Sequence, residues 1–474
     1  MADDDAVVGV ALSGGGHRAT LWSFGALLAM VDAGTAPRID TITSVSGGSF
    51  AHGVVAQDVD LASATHDDAE RAFSPMVRMI AHDGLFLWGP ATRTYAVLDF
   101  TLMGVGAVGV LVGLAGLLWS HAATAWVAVT LVAAALLAAG LWWAEQRGRA
   151  VDRALGRLFF SRSGRRTRLA ELDTSVDHVF CATELQSGEF FYLRPSGLVS
   201  WAFGTAPAGT MELATVVQVS ACVPGGFPPH ELDPRALGFT RPWPAPRVPP
   251  SPSRAVLVDG GVYDNMAEEW FARRRDRAPL AEGGTRAAID EVVVVNASAR
   301  DPWVPYRGTW IPGLRELREV LRSQAVTYDA VGSGRRHADV AAWTRAGTAQ
   351  RGALVHIAQS PVTVARAALR APVPPVPPGP WPDEATRVRA ARALEWLGVG
   401  ADDDPFAQLV DSDLRVPTTL SKLGVETSVD LLEHSYLLTA ANLHVVLGHP
   451  LPGSHRPSRE RFRALVDPAG AGGR

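Results

Sequence analysis

Cysteine is scarce in this chain: Cys181 and Cys222 are the only two among 474 residues. Two thiols cannot build a disulfide framework, which excludes the small disulfide-stapled scaffolds and points to a reducing compartment. Lysine is scarcer still, since Lys422 stands alone against a background of arginine. A bias that pervasive reflects coding composition, because no single function would impose it everywhere. The net charge of −4 offers no basic excess, and no nucleic-acid partner is expected. No group of His, Asp and Glu stands at metal-ligand spacing, so neither a metal nor another cofactor is expected. Internal repeats are missing too. The first residues, Met1-Ala2-Asp3-Asp4-Asp5, lack a basic stretch followed by an apolar core of roughly 7–15 residues, which argues against a secretory signal. The length suits about two or three domains, or one enlarged domain with insertions.

Charge is absent altogether from residues 100–144, which makes 45 consecutive positions. The run divides at Ser120-His121 into 100–119 and 122–143, each of 20 or more residues. At 1.5 Å per residue, either half can cross a hydrocarbon core of about 30 Å. Tyr95 and Phe100 lie at the start, Trp119 and Trp126 near the tip, and Trp142 and Trp143 at the exit, where interfacial aromatics would sit. The alternative is a buried core hairpin of a soluble domain. Core helices rarely stay uncharged around their whole circumference for so long, so the expectation is a transmembrane hairpin in a lipid bilayer. Its tip is too short to hold a domain, so both ends return to the same side. Arg93 precedes the pair, and Arg147, Arg149, Arg153, Arg157, Arg162, Arg165, Arg166 and Arg168 follow it. The positive-inside rule then sets the rest of the protein, with both termini, in the cytoplasm. These arginines either hold the domain to anionic headgroups or form a plain solvated face. Asp99, at the membrane edge, reads as interfacial rather than functional.

What is present begins with residues 6–12, an apolar run of strand length suited to a strand covered on both faces. A helix is expected after it, with Leu21, Phe24, Leu27, Leu28 and Val31 on one face and Gly34 as its stop. Between strand and helix, Gly14, Gly15 and Gly16 give a backbone able to turn several N–H groups toward one anion, a phosphate or a developing oxyanion. No Gly-Lys-Ser/Thr follows and the spacing is not G-x-G-x-x-G, which speaks against a nucleotide loop. A merely tight turn is the bland alternative. Residues 39–43 then read as a short buried strand, and 49–56 can start a helix. Between them Ser44-Val45-Ser46-Gly47-Gly48 places Ser46 at a sharp strand-to-helix turn, where a nucleophile exposes its Oγ beside helix N-terminal N–H groups. Gly47 and Gly48 supply the small neighbours such a strained turn needs. Ser44 stands where G-x-S-x-G would have its first glycine.

Strand-like segments resume at 177–185 and 190–193, with a hairpin turn at 186–188. Residues 216–223 lead into Pro224-Gly225-Gly226-Phe227-Pro228-Pro229, and the proline-rich stretch that runs on to residue 252 reads as a surface loop and not a packed element. Residues 255–258 form another buried-type strand, ending in Asp259-Gly260-Gly261. A carboxylate at a strand's carboxyl end lies where α/β sheets place their sites. A further parallel-type strand covers 291–297, and another strand-like stretch covers 354–357. A second proline-rich linker, 371–382, separates off a helical C-terminal portion. The alternation predicts an α/β fold with a largely parallel sheet.

Three motifs in order resemble the patatin-like phospholipases, a family of serine lipid acyl hydrolases. They are Ser13-Gly14-Gly15-Gly16-His17-Arg18-Ala19, the Ser46 elbow, and Asp259-Gly260-Gly261-Val262-Tyr263-Asp264-Asn265. Ser220-Ala221-Cys222-Val223-Pro224-Gly225-Gly226-Phe227-Pro228-Pro229 is a further match, and the wording of the first motif is also similar to the related cytosolic phospholipases. Val416-Pro417-Thr418 and residues 431–443 resemble the C-terminal parts of some bacterial members more weakly. The resemblance covers roughly residues 6–97 and 175–300. It implies a three-layer patatin-like α/β fold with a mainly parallel central sheet, here carrying a two-helix transmembrane insertion. It implies a metal-free Ser–Asp dyad in which Asp259 accepts the Ser46 proton and Ser46 attacks an ester carbonyl. Gly14, Gly15 and Gly16 would supply oxyanion donors. Arg18, Gly47, Gly48, Gly260, Gly261 and Asn265 are the supporting residues, with Arg18 holding the loop or binding a substrate phosphate.

The expected organisation is residues 1–97 as the first part of the catalytic domain, with oxyanion loop and elbow, and 98–145 as the hairpin. A basic juxtamembrane segment follows at 146–174, then the rest of the catalytic domain at 175–370, and the linker with the helical C-terminal portion at 371–474. The expected function is a membrane-anchored hydrolase cleaving carboxyl esters of phospholipids or lysophospholipids. A lipid acyltransferase with the same dyad and a catalytically inactive membrane scaffold are the alternatives. Ser46 as a structural turn residue and Asp259 as a cap are the bland readings of the dyad. His17 either points into the site or packs in the loop. His434 reads as a satisfied core histidine, yet is the best candidate for the third member of a conventional triad. The oligomeric state is not legible.

Overall fold

A computed structural model describes residues 6–85, 90–119, 123–240, 253–272, 288–299, 313–345, 348, 350–370 and 383–468. In chain order the elements are β1 (Val8–Leu12), α1 (Gly16–Asp32), β2 (Ile39–Ser44), α2 (Gly47–Asp58), α3 (His66–His82), α4 (Pro90–Trp119), α5 (Ala123–Ala144) and α6 (Arg147–Leu158). A small ribbon, β3 (Ser161–Arg162) with β4 (Arg165–Arg166), precedes β5 (Asp177–Glu184), β6 (Glu189–Arg194), β7 (Gly197–Ser200) and β8 (Gly204–Ala206). Then come α7 (Leu213–Ser220), β9 (His230–Leu232), β10 (Ala255–Asp259), β11 (Glu291–Asn296) and β12 (Arg351–His356), followed by C-terminal helices.

Among the described residues the sheet has ten strands. Its parallel block runs β12-β11-β1-β2-β5, with Val10 opposite both Val293 and Ile42, and Ser44 opposite Phe180. From β5 outward the strands β6, β7 and β8 continue antiparallel. Side chains alternate between two cores, as a pleat requires. Val10, Leu12, Phe180, Val293 and Val295 face one core, and Ala11, Val179, Cys181, Val292 and Val294 face the other. Helices cover both faces, which gives three layers.

Several expectations change here. The helix α1 is buried from Gly16 to Met30, on every face and not on one stripe. Its outer side is covered by the helix Val425–Asn442, close enough that a Cβ on Gly25 would stand 2.6 Å from the Leu432 carbonyl oxygen. The C-terminal portion therefore belongs to the same core. Residues 213–220, whose element type the sequence leaves open, are helical. β10 is not a parallel strand: it runs antiparallel to β5, with Asp259 opposite Ala182. Part of the stretch read as an unpacked loop is β9, which pairs with β10. Residues 1–5, the hairpin tip at 120–122, the proline-rich 241–252 and the linker 371–382 lie outside the described residues.

The direction of β10 is what positions a site. β2 pairs with β5 only over residues 177–180 and ends at Ser44. β10 takes over the edge that β2 vacates, at residues 182–184. Two residues beyond Ser44 the chain reaches Ser46, and two residues beyond Phe180 the edge of β5 reaches Ala182, the partner of Asp259.

The helices α4 and α5 form an antiparallel pair long and apolar enough to cross a membrane. Gly106, Gly109, Gly113 and Gly116 face α5. A Cβ there would stand 2.5 Å from Leu137 N, 2.7 Å from Ala133 Cβ, 2.3 Å from Thr130 Oγ1 and 2.1 Å from the Trp126 ring. Small residues let the two backbones close on each other, as between membrane helices. The outer faces are bare: Phe100 is 77% exposed, Leu118 79% and Trp119 85%. The helix α4 begins at Pro90, earlier than the uncharged run.

Candidate active site

The elbow folds as its composition dictates. Ser46 has φ 51° and ψ −124°, a left-handed backbone that costs a non-glycine residue about 1–3 kcal/mol. It is the one residue of 41–50 that is not buried. Its N–H donates to the Ser220 carbonyl at 3.0 Å. A Cβ on Gly47 would lie 2.1 Å from the Gly16 oxygen, and one on Gly48 would lie 2.6 Å from the Leu12 oxygen. Both positions must be glycine because the elbow packs its backbone directly on the glycine loop.

That loop is held from two sides. The Gly14 N–H donates to the Asn265 carbonyl at 2.9 Å, and the His17 N–H donates to the Thr419 carbonyl at 2.9 Å. A Cβ on Gly14 would stand 2.2 Å from Asn265 Oδ1 and 3.0 Å from Ser46 Cβ. Gly15 and Gly16 have φ 138° and 59°, conformations open to glycine at little cost. Among the described residues, the N–H groups of Gly15, Gly16 and Gly47 meet no acceptor.

Asp259 closes the arrangement at the end of β10. Its own N–H donates to the Cys222 carbonyl at 2.9 Å, and Oδ1 accepts from the Gly261 N–H at 2.7 Å. Oδ2 is buried and has no hydrogen-bond partner among the described residues. Burial pushes the carboxyl up to about 6, opposed by the Ser46 hydroxyl and the Gly261 N–H. Gly260 has to be small, since a Cβ would meet the Cys181 oxygen at 2.4 Å and Val45 Cγ1 at 2.6 Å.

A glycine loop, a strained serine elbow and a buried aspartate now stand side by side, contributed by β1, β2 and β10. The model of the patatin-like phospholipase family matches residues 10–269. The chain belongs to the patatin-like phospholipase family. Human GIVD cytosolic phospholipase A2 is a similar solved structure at 14% identity and TM-score 0.45, with 98% of this chain and 62% of that chain covered. Its complex with methyl gamma-linolenyl fluorophosphonate aligns at 13% identity and TM-score 0.39, covering 98% and 60%. VipD from Legionella pneumophila aligns at 13% and TM-score 0.27, covering 87% and 68%. The chain thus spans about 62% of the length of the human phospholipase. A comparison with curated proteins finds no match.

The structure of this patatin-like chain gives definite partners to five of the residues named from sequence. The Gly14 N–H is taken by Asn265, which leaves two donors of the expected three in the glycine loop. Arg18, 4% exposed, spends its guanidinium on the carbonyls of Ala297 (3.0 Å) and Val416 and on Thr418 Oγ1 (3.3 Å). It ties the loop to residues 416–418 and does not present its fork to a substrate. His434 is fully buried, with Nδ1 on Asp413 Oδ2 and Nε2 on the Gln359 carbonyl, both at 2.8 Å. With both ring nitrogens engaged away from Ser46, it is a core residue and no triad member. His17 packs in the loop, donating from Nδ1 to the Ser421 carbonyl at 2.9 Å, and burial lowers it to about 4.

The fifth is Ser44, in the place of the usual glycine. Its Oγ lies 2.7 Å from His52 Nδ1 and 2.9 Å from Ser49 Oγ. Ser49 reaches Ser220 Oγ at 2.8 Å, Ser220 Oγ donates to the Cys181 carbonyl at 2.7 Å, and His52 Nε2 meets His178 Nδ1 at 3.0 Å. Burial, and then the neighbouring His178, keep His52 well below the ordinary histidine range. Sequence reasoning missed this network. Its signal was the polar content of a helix, α2, whose first eleven residues are all buried. Asn265 donates from Nδ2 to Ser298 Oγ at 2.8 Å and so holds the Asp259 turn beside the glycine loop.

Proposed function

We propose that the protein is a membrane-anchored serine lipid acyl hydrolase acting on carboxyl esters of phospholipids or lysophospholipids. The observation that carries this reading is the buried Asp259 carboxyl, raised to about 6, with one oxygen unpartnered beside a serine in a strained elbow. An ordinary carboxylate is a poor base for a hydroxyl, and raising its pKa improves the proton transfer near neutral pH. In the proposed cycle Asp259 Oδ2 takes the Ser46 proton as Oγ attacks the ester carbonyl. The Gly15 and Gly16 N–H groups receive the oxyanion, each such donor contributing ~3 kcal/mol to transition-state stability in comparable enzymes. Asp259 returns the proton to the departing alcohol. It then deprotonates the water that cleaves the acyl-enzyme.

The hairpin is read as the anchor because its outer faces are apolar and exposed while its inner seam is small-residue packed, an arrangement suited to hydrocarbon surroundings. Arginines 147 to 168 at its exit support a cytoplasmic catalytic domain. The test is fluorophosphonate labelling in native membranes of wild type, Ser46→Ala and Asp259→Asn. Labelling that vanishes in Ser46→Ala supports the reading, and equal labelling of wild type and Ser46→Ala refutes it. Hydrolysis and acyl transfer use the same groups, and product analysis with an acceptor lipid separates them.

A further inference from the structure

Both members of the candidate dyad hang from one short segment. The Ser46 N–H donates to the Ser220 carbonyl at 3.0 Å and the Asp259 N–H to the Cys222 carbonyl at 2.9 Å. This segment, the end of α7 and the turn after it, is gripped by α6, the helix that continues the membrane hairpin. Gly148 lies against Gln218, so that a Cβ would stand 3.1 Å from Nε2, and Thr215 Oγ1 donates to Asp152 Oδ1 at 2.7 Å. The turn itself is stiff: the N–H groups of Gly226 and Phe227 both return to the Val223 carbonyl at 3.0 Å. At its tip the Gly226 carbonyl accepts from Arg147 Nε, and Arg147 Nη1 also donates to the Ala144 carbonyl at 3.2 Å, the last residue of α5. One guanidinium therefore joins the foot of the hairpin to the turn that carries the Asp259 amide. Val223 on that turn is 42% exposed.

We propose that Arg147 is a positioning residue that fixes the Val223–Phe227 turn at the foot of the hairpin, so that substrate passes over this turn from the leaflet holding the hairpin and not from solution. The inference rests on the dyad and anchor reading above. Arg147 holds the turn by a hydrogen bond to a carbonyl, which a neutral donor can replace. Its charge, by contrast, is one of several at the hairpin exit.

The experiment compares two fluorophosphonates on the full-length protein in phosphatidylcholine vesicles, one long-chain and dissolved in the bilayer, one short-chain and water-soluble. In Arg147→Ala, labelling by the bilayer probe slows by ~10-fold, since the turn it passes over is no longer held in place against the hairpin, while labelling by the soluble probe, which does not use that route, is unchanged. Arg147→Gln, which keeps a donor and loses the charge, labels like wild type with both probes. Arg149→Ala, which removes a neighbouring exposed charge paired with Gln146, does too. Equal slowing with both probes, no slowing with either, or a loss in Arg147→Gln as large as in Arg147→Ala overturns the proposal. If wild type labels with neither probe, or Ser46→Ala labels like wild type, the dyad reading beneath it fails instead.

Discussion

The surroundings of Ser46 and the hairpin α4–α5 are built on opposite principles. Around Ser46 polar groups are buried and matched: Ser44, Ser49, His52, His178 and Ser220 satisfy one another inside the fold. Along the hairpin apolar groups are exposed and unmatched, and its packed seam sets glycines of α4 against α5. The first region is organised against water, because an unpaired polar group there would cost about 1–3 kcal/mol. The second has no comparable organisation against water at all, and its outer surface makes sense with hydrocarbon outside. On the anchored reading proposed above, a single chain prepares for two solvents.

The comparison breaks first at the chemistry. Ser46→Ala is expected to lower ester hydrolysis by ~10⁴-fold or more, measured with a soluble ester so that the membrane plays no part. Asp259→Asn is expected to lower it by ~10³-fold. In wild type, kcat/KM falls as pH drops through about 6, because protonated Asp259 cannot accept the serine proton. A pH profile flat down to pH 4 would remove Asp259 from the role of base.

The hairpin is tested next. Leu131→Arg on its exposed face costs about 2.5–3.5 kcal/mol in a bilayer and almost nothing in water. Less membrane-bound protein, with soluble-ester activity of the extracted enzyme intact, is the expected outcome. Unchanged membrane fractionation would contradict the anchor. A smaller effect sharpens the buried side. His66 bridges Asp32 and Glu70 at 2.7 and 2.6 Å. Burial alone would lower its pKa, yet these two carboxylates raise it to about 9. Because the folded value lies above the unfolded one, its stabilisation is complete below about pH 6.5 and is lost as pH rises through 9. His66→Ala is expected to cost roughly 2 kcal/mol at pH 6 by chemical denaturation, and less at pH 10. Smallest of all, Ser44→Gly gives up two hydrogen bonds of the buried network for roughly 1–2 kcal/mol, leaving Ser46 able to label.

What could be read from the sequence was what the backbone itself demands. Gly47, Gly48 and Gly260 are required by approaches that leave no room for a Cβ, and such demands leave a residue type behind as their mark. The uncharged run likewise announces the helices α4 and α5. The rest depends on partners distant in the chain. Nothing local tells Ala255–Asp259 to run antiparallel to β5, because an apolar pentapeptide suits either direction. Nothing near Gly14 shows that the carbonyl of Asn265 will occupy its N–H. The guanidinium of Arg18 could not be assigned from its neighbours in sequence, since its partners are Ala297, Val416 and Thr418. His434 was open for the same reason until Asp413 and Gln359 were placed beside it.

The order of these parts along the chain has a consequence for biosynthesis. Ser46 precedes the hairpin and Asp259 follows it. A ribosome therefore releases the serine first, then the two apolar helices, and only afterwards the strand bearing the aspartate. No nascent chain holds both groups before the hairpin has emerged. With the hairpin sited between the two halves of the proposed dyad, a chain holding both groups comes into being only once the hairpin has been made, and on the anchored reading proposed above the anchor is available before the activity is.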